Sequence, residues 1–335
     1  PHSCVGVGRM RLSFRFLLLS LVCGRQCGCV RVASRREFLS RAVTAASVPL
    51  LAPLSAEAIV NGDAVSNAEA AATGAVGLWI DLTNCDVCRK GLPATCSGTL
   101  IAPNLVLSAR HCLDTPAALN GTLERVVFGS DMFSKTAISR SVERVVTTKD
   151  YGIATEGGGD LILIRFAGSA PIPWQVQELP FGLIPTKAEE PEAKRRNSPL
   201  YPDGLGMPTL LTYGYGQQST AGTLNADKYS AGILKKIAVD VRTEIRPWAA
   251  GFLTTPVEQG TGTCAGDSGG GVVAALQTPG GKLRNVLLGV QAVASVPCEN
   301  NQQIFVNPDA FSDFLLRASA DLGAPLKPTL SWRDF

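Results

Sequence analysis

Short apolar runs separated by turns are the feature of this sequence that most constrains its fold. Close spacing of such runs is typical of antiparallel β-barrels and β-sandwiches, so the sequence predicts an all-β fold. A helical period emerges only at 308–322, where Phe311, Phe314, Leu315 and Ala318 form one apolar stripe and predict a terminal helix. The predicted strands include residues 75–81, 98–101, 105–108, 125–128, 142–147, 161–166, 210–214, 233–241, 271–275, 286–294 and 304–306.

One charged interval differs in composition from the strand-rich regions on either side of it. Residues 185–208 combine several prolines with many Lys, Arg and Glu residues and few large apolar ones. This composition is typical of an exposed connector or insertion, and it divides the chain into two similar halves. The last residues, 323–335, are predicted to form an extended strap or a loose end.

The first 58 residues are predicted to be an export leader. An apolar run at 16–22 is too short to span a bilayer, and the later Arg35-Arg36 resembles the twin-arginine export motif. The leader ends in Ala56-Glu57-Ala58, an A-x-A cleavage site. Two signals in series look like the leader of a thylakoid-lumen protein of an alga. The alternatives are a secreted or periplasmic bacterial protein, or a basic segment that contains Arg-Arg by chance.

Removal of this leader changes the sign of the net charge. The whole chain carries 31 basic and 28 acidic residues, a formal net charge of +3. The leader holds eight Arg and two Glu, which leaves 23 basic and 26 acidic residues and a net charge of −3. The processed protein is therefore not expected to bind nucleic acid through a basic surplus, and it is not expected to span a membrane.

The histidine count restricts the possible chemistry severely. The chain has two histidines, His2 and His111, and His2 lies in the predicted leader. A single histidine cannot build a multi-histidine zinc or non-haem iron site. No metal site is therefore predicted, and any reaction that needs an imidazole must use His111.

Three motifs together point to nucleophilic catalysis. They are Ser108-Ala109-Arg110-His111-Cys112, Gly159-Asp160-Leu161 and Thr263-Cys264-Ala265-Gly266-Asp267-Ser268-Gly269-Gly270. With these motifs, residues 59–322 resemble the trypsin/chymotrypsin family of serine endopeptidases. The resemblance implies two six-stranded antiparallel β-barrels, at about 59–184 and 209–307, and protein or peptide substrates without a cofactor.

The chemistry of these side chains supports the same roles. A serine hydroxyl is a poor nucleophile at neutral pH and needs a base within hydrogen-bonding reach. His111 is the only candidate base for Ser268, and Asp160 would orient the imidazole and stabilise its charged form. The resemblance assigns the N–H groups of Gly266 and Ser268 to an oxyanion hole.

Two alternative functions compete with that of a serine endopeptidase. The sequence Gly266-x-Ser268-x-Gly270 also fits the nucleophile elbow of α/β-hydrolases, but that fold needs a histidine after the serine and none follows His111. The α/β-hydrolase reading is therefore excluded. A catalytically weak or inactive binding protein built on the protease fold remains open.

The segment after the predicted cleavage site resembles the mature start of these proteases. It reads Ile59-Val60-Asn61-Gly62, and in the family the freed α-ammonium pairs with the aspartate before the serine, here Asp267. A basic residue ordinarily precedes that isoleucine, whereas Ala58 stands here. We hypothesise that the leader peptidase also activates the enzyme. The simpler alternative is that residues 59–60 only begin a strand.

Six cysteines, an even number, follow the leader, and disulfide bridges between them would imply an oxidising compartment. The resemblance implies that Cys96 pairs with Cys112 and that Cys264 pairs with Cys298. The remaining Cys85 and Cys88 would form either a structural bridge or a redox-switchable one.

The resemblance also implies which residues form the specificity pocket. Gly262 occupies the base of the pocket, where an aspartate would select Arg or Lys. Cleavage after small or medium uncharged residues is therefore predicted. Ala292 also lacks a hydroxyl that usually supports the aspartate of the triad. The pocket residues implied are Gly262, Thr263, Ala292, Val293, Ala294 and Gln303.

Overall fold

Two closed β-barrels account for most of the described chain. The computed structural model describes residues 59–84, 94–118, 120–154, 158–195, 210–217, 231–243, 245–247, 249–277, 281–294, 297–328 and 331–334. The predicted leader at 1–58, the Cys85 and Cys88 pair, and connector residues 196–208 lie outside the described residues.

The first barrel closes in the order β2-β3-β4-β7-β6-β5, with every neighbouring pair antiparallel. Its apolar runs turn inward and are almost fully buried, since Leu78, Leu107 and Ile164 expose none of their surface. Its strands are β2 (Ala75–Asp81), β3 (Ala94–Ala102), β4 (Leu105–Ser108), β5 (Thr122–Phe128), β6 (Ile138–Thr147) and β7 (Ile162–Phe166).

The second barrel closes in the order β8-β9-β10-β13-β12-β11, and β11 pairs back to β8. A two-residue strand, β1 (Asp63–Ala64), extends this sheet beside β9. The predicted all-β fold of two six-stranded barrels is therefore confirmed. The other strands are β8 (Leu210–Gly214), β9 (Lys235–Val241), β10 (Gly251–Pro256), β11 (Gly271–Gln277), β12 (Leu283–Ala294) and β13 (Gln303–Val306).

Four short α-helices lie outside the barrels in the described part of the chain. The predicted terminal helix is a 3₁₀ turn at Pro308–Phe311 followed by α4, and its Phe314 and Leu315 are buried in the same core as the first barrel. No helix in the described ranges is long and apolar enough to cross a bilayer. The helices are α1 (Asn67–Thr73), α2 (His111–Ala117), α3 (Glu190–Arg195) and α4 (Ser312–Asp321).

The C-terminal tail packs against the connector between the barrels. Trp332 exposes 2% of its surface and contacts the fully buried Ala193 of α3. Its backbone N–H donates to the carbonyl oxygen of Gly182 at 3.1 Å, and the neighbouring Arg333 pairs with Glu189 at 2.8 Å. The tail therefore acts as a strap, and the described part of the connector is partly buried rather than wholly exposed as the composition suggested.

Replacement of Trp332 by Ala should test this packing. Loss of a buried tryptophan typically costs about 3–5 kcal/mol, so we expect a comparable fall in the free energy of unfolding measured with urea. Leu283→Ala is the control, since Leu283 is 65% exposed. If Trp332→Ala were as stable as this control, the strap would not pack in solution.

Candidate active site

His111 lies where the first barrel meets a short helix. Strand β4 ends at Ser108 and α2 begins at His111, so the imidazole stands at the helix N-terminus with 37% of its side chain exposed. A disulfide joins the next residue, Cys112, to Cys96 on β3, as the resemblance implied. Strand β4 before His111 and the disulfide of Cys112 after it therefore both fix the histidine to the barrel.

Asp160 binds His111 with both carboxylate oxygens. Its Oδ1 accepts the backbone N–H of His111 at 2.9 Å, which is one of the donors that a helix start leaves unpaired. Its Oδ2 lies 2.6 Å from the imidazole Nδ1. One carboxylate therefore caps the helix and orients the ring, so that the other ring nitrogen remains free to act on a substrate.

The charge state of Asp160 follows from its surroundings. Burial raises the pKa of this carboxyl, but the hydrogen bonds and charge of His111, with the charge of Arg110, leave the pKa below its ordinary value. The Arg110 side chain is 9% exposed and pairs with Asp114 at 3.0 Å. Asp160 is therefore ionised near neutral pH, as an orienting carboxylate must be. The motifs gave no role to Arg110.

Ser268 lies in a tight turn that precedes β11 of the second barrel. The turn is closed by the Asp267 carbonyl, which accepts the N–H of Gly270 at 2.9 Å. Gly269 has a φ of 81°, and a Cβ there would collide with the Ser108 hydroxyl and the Ser97 carbonyl. Only glycine therefore allows the nucleophile turn to lie directly against β3 and β4 of the first barrel.

Ser97 on β3 joins the two barrels at this point, a role that the sequence analysis missed. Its N–H donates to the carbonyl of Ser268 at 2.8 Å, and its hydroxyl donates to the carbonyl of Gly266 at 2.9 Å. The same hydroxyl accepts the N–H of Tyr215 at 2.9 Å. Its carbonyl accepts the hydroxyl of Ser108, at the end of β4, at 2.7 Å. Nothing local distinguishes this serine, because its partners are distant in sequence.

The structure brings the predicted triad residues to one edge between the barrels. Cys112, next to His111, has its sulfur 3.5 Å from the carbonyl oxygen of Ser268. Asp160 binds His111, and the N–H of Ser97 binds the carbonyl of Ser268. The three side chains are therefore contributed by the ends of strands in two barrels.

The predicted oxyanion hole consists of two N–H groups in the nucleophile turn. Among the described residues, neither the N–H of Gly266 nor that of Ser268 has an acceptor. Gly266 has a φ of 96°, and a Cβ there would approach the Cα of Gly216 to 2.8 Å. Two unpaired donors in one turn are suited to bind a developing negative charge.

Asp267 is a buried carboxylate directly behind the nucleophile. Its Oδ1 accepts the N–H of Gly216 and its Oδ2 accepts that of Cys264, both at 2.7 Å. Burial raises its pKa to about 7 despite these hydrogen bonds. Ile59 is fully buried in the core of the second barrel, and Val60 exchanges backbone hydrogen bonds with Gly262. Residues 59–60 and the loop that carries Ser268 therefore lie in one part of the second barrel.

A largely apolar cleft of about 1010 Å³ opens beside His111 and Asp160. Of the predicted pocket residues, Ala292 and Val293 line this cleft, and Val293 exposes 52% of its surface. A cleft of this size can hold several substrate side chains. The remaining lining includes Arg110, Thr243, Ala249, Ala250, Phe252, Leu253, Ile304, Phe305 and Val306.

The other predicted pocket residues do not line this cleft and are buried or half-buried. A Cβ at Gly262 would collide with the carbonyl oxygen of Cys298, whose disulfide to Cys264 is present. No aspartate could therefore occupy that position in this backbone. Ala294 is half-buried. Gln303, implied to belong to the pocket, is fully buried beside Thr254, with which it pairs across β10 and β13.

The described residues contain no group of three or more His, Cys, Asp and Glu side chains that could hold a metal ion.

The fold and this geometry define a class of two-barrel proteins with a serine, a histidine and an aspartate between the barrels. A family model described as Trypsin matches residues 84–315. The chain therefore belongs to the trypsin family.

The chain is also similar, at low sequence identity, to curated elastases. The chain is 30% identical over 184 residues to chymotrypsin-like elastase family member 1 of Macaca fascicularis, a match that covers 52% of this chain and 61% of the relative. It is 26% identical over 219 residues to neutrophil elastase of Mus musculus, covering 65% of this chain and 68% of the relative.

Removal of the Ser97 hydroxyl should weaken the contact between the barrels. Ser97→Ala leaves the N–H of Tyr215, a fully buried residue, without its acceptor. An unpaired buried donor typically costs about 1–3 kcal/mol, so we expect that loss in urea unfolding. Ser139→Ala, at an exposed site on β6, is the control. Equal stability of the two variants would contradict the proposed role of the hydroxyl.

Proposed function

We propose that this protein is a serine endopeptidase in which Ser268, His111 and Asp160 form the catalytic triad. The observation that carries the proposal is the two-point contact of Asp160 with His111, at 2.9 and 2.6 Å. A carboxylate in this position fixes the tautomer that leaves the distal ring nitrogen free to accept a proton. The turn that carries Ser268 is bound by Ser97, and the Ser268 hydroxyl is the proposed nucleophile.

The chemistry follows from these positions. The Oγ of Ser268 bonds to the scissile carbonyl carbon as its proton passes to the free ring nitrogen of His111. The peptide C–N bond then breaks, and the imidazolium returns the proton to the leaving amine. A water molecule, activated by the same histidine, hydrolyses the acyl-enzyme and restores the serine. The N–H groups of Gly266 and Ser268 stabilise the oxyanion in both steps.

The cleft and the pocket support a preference for uncharged residues. The cleft beside His111 is lined mainly by apolar side chains, which suits peptide segments on one side of the scissile bond. Gly262 leaves no carboxylate at the position that would select Arg or Lys. Cleavage after small or medium uncharged residues is therefore proposed for this chain, and the two relatives described above are both named elastases.

Ser268→Ala separates this function from an inactive binding protein. Because the triad acts as a unit, its loss should reduce kcat by at least about a thousandfold. Labelling by a fluorophosphonate probe should disappear in the same variant and persist in the control Ser139→Ala. Labelling that survives Ser268→Ala would place the nucleophile elsewhere. A wild-type protein that neither labels nor cleaves peptides would favour the binding protein.

A second part of the proposal concerns activation. A free α-ammonium at Ile59 would be the natural partner of Asp267, because an ionised carboxylate buried this deeply is costly without a cation. The leader peptidase would then expose the ammonium and activate the enzyme in one cut after Ala58. Export across a membrane, to an oxidising compartment such as the thylakoid lumen or outside the cell, fits the disulfides.

The pH dependence of stability should depend on the N-terminus. Asp267 has a pKa raised from 3.8 to about 7 where Ile59 carries no free amine, so the folded state binds its proton more tightly than the unfolded state. The stabilising contribution of the protonated Asp267 carboxyl is complete below about pH 4 and is lost as the pH rises through 7. We expect Tm to fall over this range in a form that begins at Ala58, and to fall less in one that begins at Ile59.

Comparison of the two forms isolates the contribution of Asp267 to the pH dependence of Tm. Burial also raises the pKa of Asp309 to about 7, but that group contributes equally to both forms. Identical pH profiles, or full activity in the form that retains Ala58, would contradict the activation proposal.

A further inference from the structure

The loop between β9 and β10 forms one wall of the apolar cleft. Residues 242–250, here called the cleft-wall loop, connect the two strands, and the structure describes 242, 243, 245–247, 249 and 250. Thr243, Ala249 and Ala250 line the cleft. The two alanine side chains are single methyl groups, so the backbone determines where this wall lies. The contacts that hold this backbone therefore affect the shape of the cleft.

Asn307 binds the backbone of the cleft-wall loop at three points. Its Nδ2 donates to the carbonyls of Arg246 and Ala249, at 2.7 and 3.1 Å. Its backbone N–H donates to the carbonyl of Ala250 at 2.9 Å. Asn307 follows β13 directly and exposes none of its surface, so water does not compete for these hydrogen bonds. This residue therefore fixes the part of the loop that lines the cleft.

Hydrogen bonds connect Asn307 to the C-terminal strap, residues 331–334. The Oδ1 of Asn307 accepts the N–H of Asp309 at 3.1 Å. The carboxyl group of Asp309, a buried residue, accepts the backbone N–H of Gly182. The carbonyl of Gly182 in turn accepts the backbone N–H of Trp332 at 3.1 Å. A continuous series of hydrogen bonds therefore runs from the strap to the cleft wall.

Two ion pairs form a second connection, through the start of α3. Arg333 of the strap pairs with Glu189, the residue before α3, at 2.8 Å. Glu190, the first residue of α3, pairs with Arg246 of the cleft-wall loop. The Glu190 and Arg246 side chains expose only 21% and 18% of their surface, so salt and water screen this pair less than a surface pair. The strap and the cleft-wall loop are therefore connected twice.

The strap lies outside the part of the chain that matches the trypsin family. That match ends at residue 315, whereas the strap begins at 331. No residue of the described strap lines the cleft. An effect of the strap on a bound peptide must therefore pass through the cleft-wall loop.

We propose that the C-terminal strap positions the cleft-wall loop and thereby determines how strongly the enzyme binds extended peptides. Trp332, Arg333 and Glu190 are positioning residues, since none of them lines the cleft. This assignment rests on the proposed peptidase function, and it adds to that function a segment that controls peptide binding from outside the family match.

Loss of the strap should displace the loop without disturbing the catalytic residues. Ile245 of the loop is buried in the core of the second barrel, so the loop stays attached. Asp160 binds His111 through contacts within the first barrel. Small displacements of groups that position a substrate can reduce rates by about a hundredfold. A peptide long enough to contact the loop should therefore react more slowly, whereas a substrate too short to reach it should not.

The test compares protein that begins at Ile59 with a form that also ends at Pro328 and so lacks the strap. Each form receives an extended peptide and a single-residue ester with the same residue at the cleaved bond. We expect the peptide-to-ester ratio of kcat/KM to fall by at least about tenfold in the shortened form. This ratio is independent of the folded fraction, because both substrates report on the same active enzyme. An unchanged ratio overturns the inference.

Glu190→Gln interrupts the second connection and should lower the same ratio. Glu143→Gln is its matched control, because it breaks an ion pair with Arg165, 3.2 Å long, on the first barrel. Trp174→Ala is the control for lost stability, because Trp174 packs on Phe128 with 5.6 Å between ring centroids. An unchanged ratio in Glu190→Gln contradicts the second connection. An equal fall in the controls would indicate general loosening and contradict the role of the strap.

Failure of the proposed function gives a different result. Protein that begins at Ile59, has the complete strap and shows neither cleavage nor fluorophosphonate labelling overturns the proposed function itself. Protein that cleaves both substrates, with the same ratio in the shortened form, overturns only the role of the strap.

Discussion

The buried carboxylate of Asp267 is the constraint around which the nucleophile turn is built. Its two oxygens accept the N–H groups of Gly216 and Cys264, so the loop that carries Ser268 is bound both to the segment just after β8 and to its own disulfide. The glycines at 214 and 216 follow from this, because a Cβ at either position would collide with the carboxylate. A carboxyl group enclosed in this way is stable only if it is protonated or paired with a cation, and a free α-ammonium at Ile59 would be such a cation.

The catalytic pair depends on a second set of contacts across the barrels. Asp160 and His111 belong to the first barrel, whereas Ser268 belongs to the second, so their alignment requires the barrels to keep one relative position. Ser97 supplies three hydrogen bonds across that boundary, and Gly269 allows the close approach that these bonds need. The packing of two hydrophobic cores therefore determines the geometry of the proposed reaction, which needs residues of both barrels.

The sequence predicted the parts of this structure that local pattern specifies. Short apolar runs predicted an all-β fold, and the resemblance to the trypsin/chymotrypsin family implied two barrels. The motifs around His111, Asp160 and Ser268 predicted residues that the fold brings together. Strand β1 was missed because two residues carry no periodicity. The tail strap and the role of Ser97 could not be predicted, since Trp332 packs on Ala193 and Ser97 bonds to Ser268, contacts that only the folded chain creates.

One unfavourable buried group of the fold coincides with a proposed function. Asp267 raises the free energy of the folded state when it is ionised without a cation. Sequences usually avoid such conflicts, and the exceptions concentrate at functional sites. A free α-ammonium at Ile59 would relieve this cost once, at maturation. Activation would then rest on the pairing of a carboxylate that folding alone leaves without a cation.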